Sequence, residues 1–170
     1  PDMAPEAIEN GECDVIDLGR PLLADPDYCN KLRCGNVTQI RPCISCQEGC
    51  MGRVASYSLL NCAVNPRAAR EGVNAYEPIL KKKKVLIVGG GVAGCEAARV
   101  LAIRGHEPVV YEKGNRLGGN LIPGGAPDFK EDDIALADWY TNELDRFGVS
   151  VHLNTQLNED EIKAMDFDTL

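Results

Sequence analysis

Four of the chain's eight cysteines, Cys43, Cys46, Cys50 and Cys62, follow the spacing C-x2-C-x3-C-x11-C. Three thiolates within eight residues, with a fourth one short loop away, can converge on a single centre without long-range folding. A [4Fe-4S] cluster takes four such ligands. Zinc also accepts four thiolates, but structural zinc sites more often use two separated C-x2-C pairs, and this chain has one. The spacing favours iron-sulfur and leaves zinc as the alternative. Cys13, Cys29, Cys34 and Cys95 lie on or beside expected helices and strands without ligand spacing, and read as packing thiols.

A second constellation is Gly89-Gly90-Gly91-Val92-Ala93-Gly94, which satisfies G-x-G-x-x-G between an apolar run and a helix-forming stretch. Gly89 permits the tight turn, Gly91 lets a pyrophosphate approach the backbone, and Gly94 allows close helix-to-strand packing. The helix N-terminus that follows supplies N–H donors and positive partial charge to phosphates. Glu112 stands 18 residues after Gly94, where a carboxylate can accept adenosine ribose hydroxyls. An acid there argues against a 2′-phosphate, hence against NADP at this position. Leu117-Gly118-Gly119-Asn120 adds a glycine pair that can admit an extended cofactor, mildly favouring FAD over NAD, or that is a plain turn.

These residues need a scaffold. Val85–Val88 is a short continuous apolar run suited to a strand buried on both faces. A helix from about Ala93 to Arg104, stopped by Gly105, leads to a second strand at Pro108–Glu112. Asp128 is positioned to cap a helix running to about Phe147, with Ile134, Ala137, Leu144 and Phe147 near one face. Alternation at Val149, Val151 and Leu153 predicts a third strand, Glu159–Met165 a short helix, and the tail from Phe167 a fourth strand. This is a parallel, Rossmann-like α/β pattern.

The N-terminal third reads differently. A helix over Ala4–Asn10 closed by Gly11, a strand at Asp14–Leu18, and a helix from about Pro26 to Cys34 before Gly35 suggest an α/β piece whose sheet partners are absent. Residues 36–70 show no sustained period and need a clamp. The organisation expected is 1–35, a cysteine segment at 36–70, a linker at 71–83, and the first part of a dinucleotide-binding domain at 84–170. Lys81–Lys84 reads as a solvated lead-in to a strand. The start at Pro1 without a Met, and the apolar close at Phe167–Leu170, suggest part of a longer protein.

The formal net charge is −8, from 18 basic and 26 acidic side chains in 170 residues. It gives no basic footprint for nucleic acid or anionic lipid. The sequence contains neither an export signal nor an apolar run long enough to span a membrane. The cysteines are then expected to be reduced, as in a cytoplasm.

Taken with Gly19-Arg20-Pro21-Leu22-Leu23-Ala24-Asp25-Pro26, Arg41-Pro42-Cys43-Ile44-Ser45-Cys46, Val64-Asn65-Pro66-Arg67 and Tyr111-Glu112-Lys113, the two constellations resemble the iron-sulfur NADH:flavin oxidoreductases of the Old Yellow Enzyme group. That group includes 2,4-dienoyl-CoA reductase, trimethylamine dehydrogenase and enoate reductases. The resemblance implies a TIM barrel carrying FMN and a small-molecule substrate, then a [4Fe-4S] segment, then FAD- and NAD(P)H-binding domains. This chain would hold the barrel's last strand and helix, the cluster segment and the start of the FAD domain. The rest of the barrel and the NAD(P)H domain would lie outside it.

Carried across, Cys43, Cys46, Cys50 and Cys62 fall on the cluster ligands, and Gly19 and Arg20 on the FMN phosphate site. Ala93, Glu112 and Asn120 fall on FAD contacts, joined by Lys130 and Leu157 across an uncertain gap near Gly124. Relatives often carry Gln where this chain has Asn120, and trimethylamine dehydrogenase-like members hold ADP in place of FAD.

The implied activity passes electrons from NAD(P)H through FAD and the cluster to FMN, and reduces the C=C bond of an α,β-unsaturated carbonyl compound. The catalytic acid, a tyrosine or histidine, is expected outside this chain. His106, His152, Tyr111, Trp139 and Phe147 read as structural or surface residues. An amine dehydrogenase feeding an external acceptor is one alternative. A non-catalytic electron-transfer or zinc-stabilised nucleotide-binding module is another, and the resemblance leaves a homo-oligomer open.

Overall fold

The computed structural model describes residues 3–73 and 75–170. They fall into two units, one ending at Ala69 and one beginning at Arg70.

In the second unit, Lys84–Val88, apolar from Val85 on, forms β1, followed by α5 (Val92–Arg104), β2 (Glu107–Tyr111) and β3 (Ser150–His152). The three strands are parallel in the order β1-β2-β3, with Leu86 opposite Val109 and Val110 opposite Val151. The tail adds to the free edge of β1. Thr169 bridges Val85 in parallel, and its carbonyl accepts from the Leu86 N–H at 2.9 Å. The strand expected from Phe167 therefore starts on β1 at Thr169. Gly105 ends α5 at φ 97°, a left-handed conformation that glycine adopts without a Cβ penalty.

The helix expected from Asp128 to Phe147 is divided. Residues Asp128–Lys130 make a 3-10 turn and α7 spans Glu131–Arg146, with Lys130 at its N-cap. Asp128 thus does not cap it, because Pro127 accepts from the Lys130 N–H and draws Asp128 into the turn itself. The buried face also shifts. Leu136, Ala137, Trp139, Tyr140, Glu143 and Leu144 are buried, while Ile134 and Phe147 stay half-buried. The short α6 (Leu121–Gly124) packs on α7, as does α5. Near the end of the chain, α8 (Glu159–Ala164) is closed by a capping box between Asn158 and Glu161.

Between α5 and α7 lies a buried ion network. Arg99, 7% exposed, donates to both carboxylate oxygens of Glu96 at 2.8 and 2.9 Å and to the Tyr76 hydroxyl at 3.3 Å. It sits 3.9 Å from Glu143, which is also held by Arg146. The Tyr76 and Trp139 rings flank its guanidinium. Burial works against the charge, but Glu96 outweighs it and raises the Arg99 pKa.

In the first unit, α1 (Met3–Glu9), α2 (Arg20–Ala24), α3 (Tyr28–Arg33) and α4 (Met51–Ala55) are short. The strand expected at Asp14–Leu18 is absent among the described residues; Val15 is 78% exposed. A strand of the parallel, doubly buried kind exists only where neighbouring strands receive its hydrogen bonds. Cys29 and Cys34 are exposed, so the packing role expected of them does not hold here, whereas Cys95 is fully buried. Cys29 lies in the first turn of α3 and Cys34 is its C-cap, both facing solvent.

Replacing Arg99 by leucine removes the cation from Glu96 and leaves the buried Glu143 with Arg146 alone. The variant should lose about 3 kcal/mol of stability, the low end for breaking a buried pair. Urea unfolding of the native protein followed through Trp139 fluorescence measures this, while Arg104→Leu, at an exposed position, serves as the control.

Candidate cysteine centre and nucleotide turn

The cysteine segment is held shut by a buried carboxylate. Asp25, 4% exposed, accepts from the Arg41 backbone N–H at 2.8 Å and from Lys31 Nζ at 2.6 Å through one oxygen. Its other oxygen accepts from the Asp27 N–H at 3.1 Å. The Arg41 guanidinium in turn donates to the Val64 carbonyl at 2.7 Å, and Asn65 Nδ2 to the Leu23 carbonyl at 2.8 Å. Positions 41 and 64, just outside Cys43 and Cys62, are thereby tied together and to α2.

Inside that clamp the chain folds tightly. A Cβ on Gly49 would strike the Asn61 side chain and come within 2.8 Å of the Asn61 carbonyl oxygen. Only glycine permits the approach, and the Asn61 N–H donates to the Gly49 carbonyl at 2.8 Å. Cys50 and Cys62 follow directly. Arg53 Nε holds the Leu59 carbonyl at 2.7 Å. Ser45 and Gln47, on either side of Cys46, have φ of 55° and 58°. Each such left-handed non-glycine residue costs roughly 1–2 kcal/mol, so the surrounding loop enforces the path.

Cys43, Cys46, Cys50 and Cys62 line one cavity with Arg20 and Leu23 of α2. Burial pushes the Cys43 thiol above its usual range, against a backbone hydrogen bond from Ser45 and the charge of Arg20; Cys62 and Cys46 add to the rise. Among the described residues, no three His, Cys, Asp or Glu side chains are gathered closely enough to hold a metal ion. Gly19 precedes α2 and is exposed, while Arg20 turns into the cysteine cavity.

In the second unit the glycine turn has the expected form. Gly89 has φ 108°. A Cβ on Gly94 would collide with the Gly89 carbonyl oxygen and lie 3.3 Å from Ile87, so α5 packs on β1 only with glycine there. Gly91 is the N-cap of α5 with no side chain capping it, and the first turn carries no acidic residue. Ala93 is exposed in that turn. Glu112 accepts from the Gly90 N–H and the Gly114 N–H, each at 2.6 Å. A carboxylate has about four lone-pair sites, so two remain for hydroxyl donors.

The pair Gly118-Gly119 abuts this turn. Gly118 bridges Gly91 and donates its N–H to the Gly90 carbonyl at 2.8 Å. A Cβ on Gly119 would sit 2.9 Å from the Gly91 Cα. Asn120 follows, exposed at the N-cap of α6. Lys130 is exposed at the head of α7 and Leu157 half-buried before α8; among the described residues neither hydrogen-bonds to the turn. Cys95 Sγ lies 3.3 Å from the Gly90 carbonyl, where burial pushes its thiol up to about 12. Sequence reasoning did not anticipate the Asp25 clamp or the packing of Gly119 on Gly91. The motif Leu23-Ala24-Asp25-Pro26 was the available signal for the clamp.

The parallel sheet, the glycine turn and Glu112 define a nucleotide-binding unit, and residues 87–135 match the NAD(P)-binding Rossmann-like domain. The whole chain has relatives. It is 50% identical over 168 residues, 99% of its length, to cinnamate reductase of Clostridium sporogenes. Two solved structures superpose closely: a 2-naphthoyl-CoA reductase in complex with 2-naphthoyl-CoA (TM-score 0.94, 36% identity, 99% of this chain) and the 6-hydroxypseudooxynicotine amine oxidase HisD of Pseudomonas geniculata N1 (TM-score 0.91, 31% identity, 99% of this chain). Over nearly its whole length the chain is similar to Old Yellow Enzyme-like flavin oxidoreductases, among them a multifunctional alkene reductase/demethylase OYE of Caballeronia cordobensis, to which it is 33% identical over 150 residues. It covers 25% of the cinnamate reductase and 26% of each of the two structures. Among the described residues, no helix is long and apolar enough to cross a membrane.

Substituting alanine at Gly94 drives a methyl group into the Gly89 carbonyl, so nucleotide retained on purification should fall at least tenfold, as measured by released adenine nucleotide per chain. The raised pKa of Cys95 makes its neutral thiol the folded form. Its contribution is complete below pH 9 and is lost as pH rises toward 12. Iodoacetamide at pH 8 should leave Cys95 unmodified in the native protein and label it after unfolding, as read by peptide mass spectrometry.

Proposed function

We propose that this chain is a segment of a multi-cofactor flavin oxidoreductase. In this reading Cys43, Cys46, Cys50 and Cys62 hold a [4Fe-4S] cluster, and the turn from Gly89 to Gly94 holds the pyrophosphate of FAD. The observation that carries it is the convergence of the four cysteines on one cavity. The C-x2-C-x3-C-x11-C spacing supports iron-sulfur over zinc, whose structural sites more often use two separated C-x2-C pairs.

When bound, these groups supply hydride acceptance and one-electron transfer, carrying electrons from NAD(P)H through FAD and the cluster to FMN. The chain's own residues hold and orient them. Asp25, Arg41 and Asn65 keep the two cysteine-bearing strands of loop together. Gly91 and Ala93 present backbone N–H groups to phosphate, and Glu112 takes ribose hydroxyls while its bonds to Gly90 and Gly114 fix its position. An ADP moiety would use the same contacts. The exposed apolar side chains of Ile8, Val15 and Leu32 are consistent with packing against the remainder of a barrel carrying FMN.

The proposed reaction is reduction of the C=C bond of an α,β-unsaturated carbonyl compound, supported by the likeness to cinnamate reductase. The likeness to the amine oxidase HisD supports a second reading, in which the protein oxidises an amine and passes the electrons on. Steady-state assays separate them. The first requires NAD(P)H consumption dependent on an aryl enoate, and the second requires reduction of an artificial acceptor dependent on an amine.

The metal reading has its own test. Native protein purified anaerobically should contain about four iron and four sulfide per chain, and Cys46→Ser should remove most of the visible absorbance together with the iron. Zinc in place of iron and sulfide would overturn the cluster. FMN as the only flavin would assign ADP to the glycine turn.

A further inference from the structure

We propose that Arg20 is the electrostatic counter-ion of the cysteine cavity and sets the reduction potential of the cluster held there. The proposal rests on the cluster reading above.

Arg20 opens α2, whose far end is fixed by the Asp25 clamp and whose Leu23 carbonyl is held by Asn65. From this anchored position its side chain lines the cavity together with all four cysteines. Its Nη1 is fully buried and has no hydrogen-bond partner among the described residues. A buried guanidinium nitrogen left unsatisfied is costly, and the cost is relieved by an anion in contact with it. Among the side chains lining the cavity the anions on offer are thiolates, and the FMN phosphate expected at Gly19 and Arg20 is the competing partner. Apart from the cysteines, the residues lining the cavity are apolar or neutral, so Arg20 is its one permanent charge.

The consequence follows from charge. Arg20 faces one further unit of negative charge whenever an electron from the reduced nucleotide-bound flavin enters the cavity. No bond forms or breaks in that step and no proton moves, since a guanidinium stays protonated throughout. The cation therefore favours the reduced over the oxidised state and raises the potential, net charge being one of the levers that set it. The Ser45 backbone hydrogen bond to Cys43 acts in the same direction.

The test is potentiometric titration of the native protein, followed by electron paramagnetic resonance of the reduced cluster, with iron, sulfide and FMN quantified on each sample. Arg20→Gln should shift the reduction equilibrium about tenfold toward the oxidised form, about 59 mV downward for one electron. Arg20→Lys should recover most of the shift. An unchanged potential in Arg20→Gln with full iron content would overturn the proposal. So would loss of FMN at unchanged potential, which would place Arg20 at the flavin phosphate alone. Should Arg20→Gln assemble no cluster, iron retained in Arg20→Lys supports a requirement for charge and iron lost in both refutes it. Native protein lacking iron and sulfide would instead sink the cluster reading itself.

Discussion

Everything the cysteine segment can do depends on one buried carboxylate. Asp25 closes a loop that has neither a sheet nor a long helix to order it. Three donors from separate stretches, Asp27, Lys31 and Arg41, meet on its two oxygens. Truncating it would leave those donors facing a gap, which costs more than the bonds themselves contribute. Through Arg41 the effect reaches the Val64 carbonyl, and so both ends of the segment that carries the four thiols. Formation of the site is thus a matter of hydrogen-bond satisfaction rather than of apolar burial, of which this unit has little.

The second unit solves its positioning problem by removing atoms. Gly90, Gly94, Gly118 and Gly119 each sit where a Cβ would meet a neighbour within 3 Å, so strand, turn and helix approach more closely than side chains allow. The space left open is at Gly91, whose only near neighbour is the Gly119 Cα at 4.0 Å. A phosphate requires that opening, and it lies at the positive end of a helix of 13 residues. Two glycine clusters far apart in sequence are therefore one structural object.

Apart from α6 and the turn at Asp128–Lys130, the strands, helices and glycine turn of residues 84–165 were legible because each carries a local signal: an apolar run at Val85–Val88, alternation at Val149–Leu153, a stop at Gly105. The gathering of the four cysteines at one cavity was legible by spacing alone. What escaped was anything set by partners. Residues 14–18 have strand-like composition, yet a parallel strand exists only through neighbours. Of the residues assigned to one face of α7, Ala137 and Leu144 are buried and Ile134 and Phe147 half-buried, while Glu143, paired with Arg146 and near Arg99, occupies a core position that hydrophobic periodicity assigns to apolar residues. The long-range bonds of the Asp25 clamp join positions 16, 23 and 42 residues apart, farther than a local sequence window reaches.

The bridge between Val85 and Thr169 bears on how the second unit is made. Its hydrogen bonds join residues more than eighty positions apart, whereas β1 and β2 are separated by a single helix. During synthesis β1, α5 and β2 can assemble as a local unit, with one edge of β1 unpaired until Thr169 leaves the ribosome. At a translation rate of roughly 5–20 residues per second, that edge stays open for seconds. For that interval the nascent sheet presents a bare parallel edge, and the exposed lysines Lys81–Lys84 at its threshold are the kind of charge that discourages pairing with another chain.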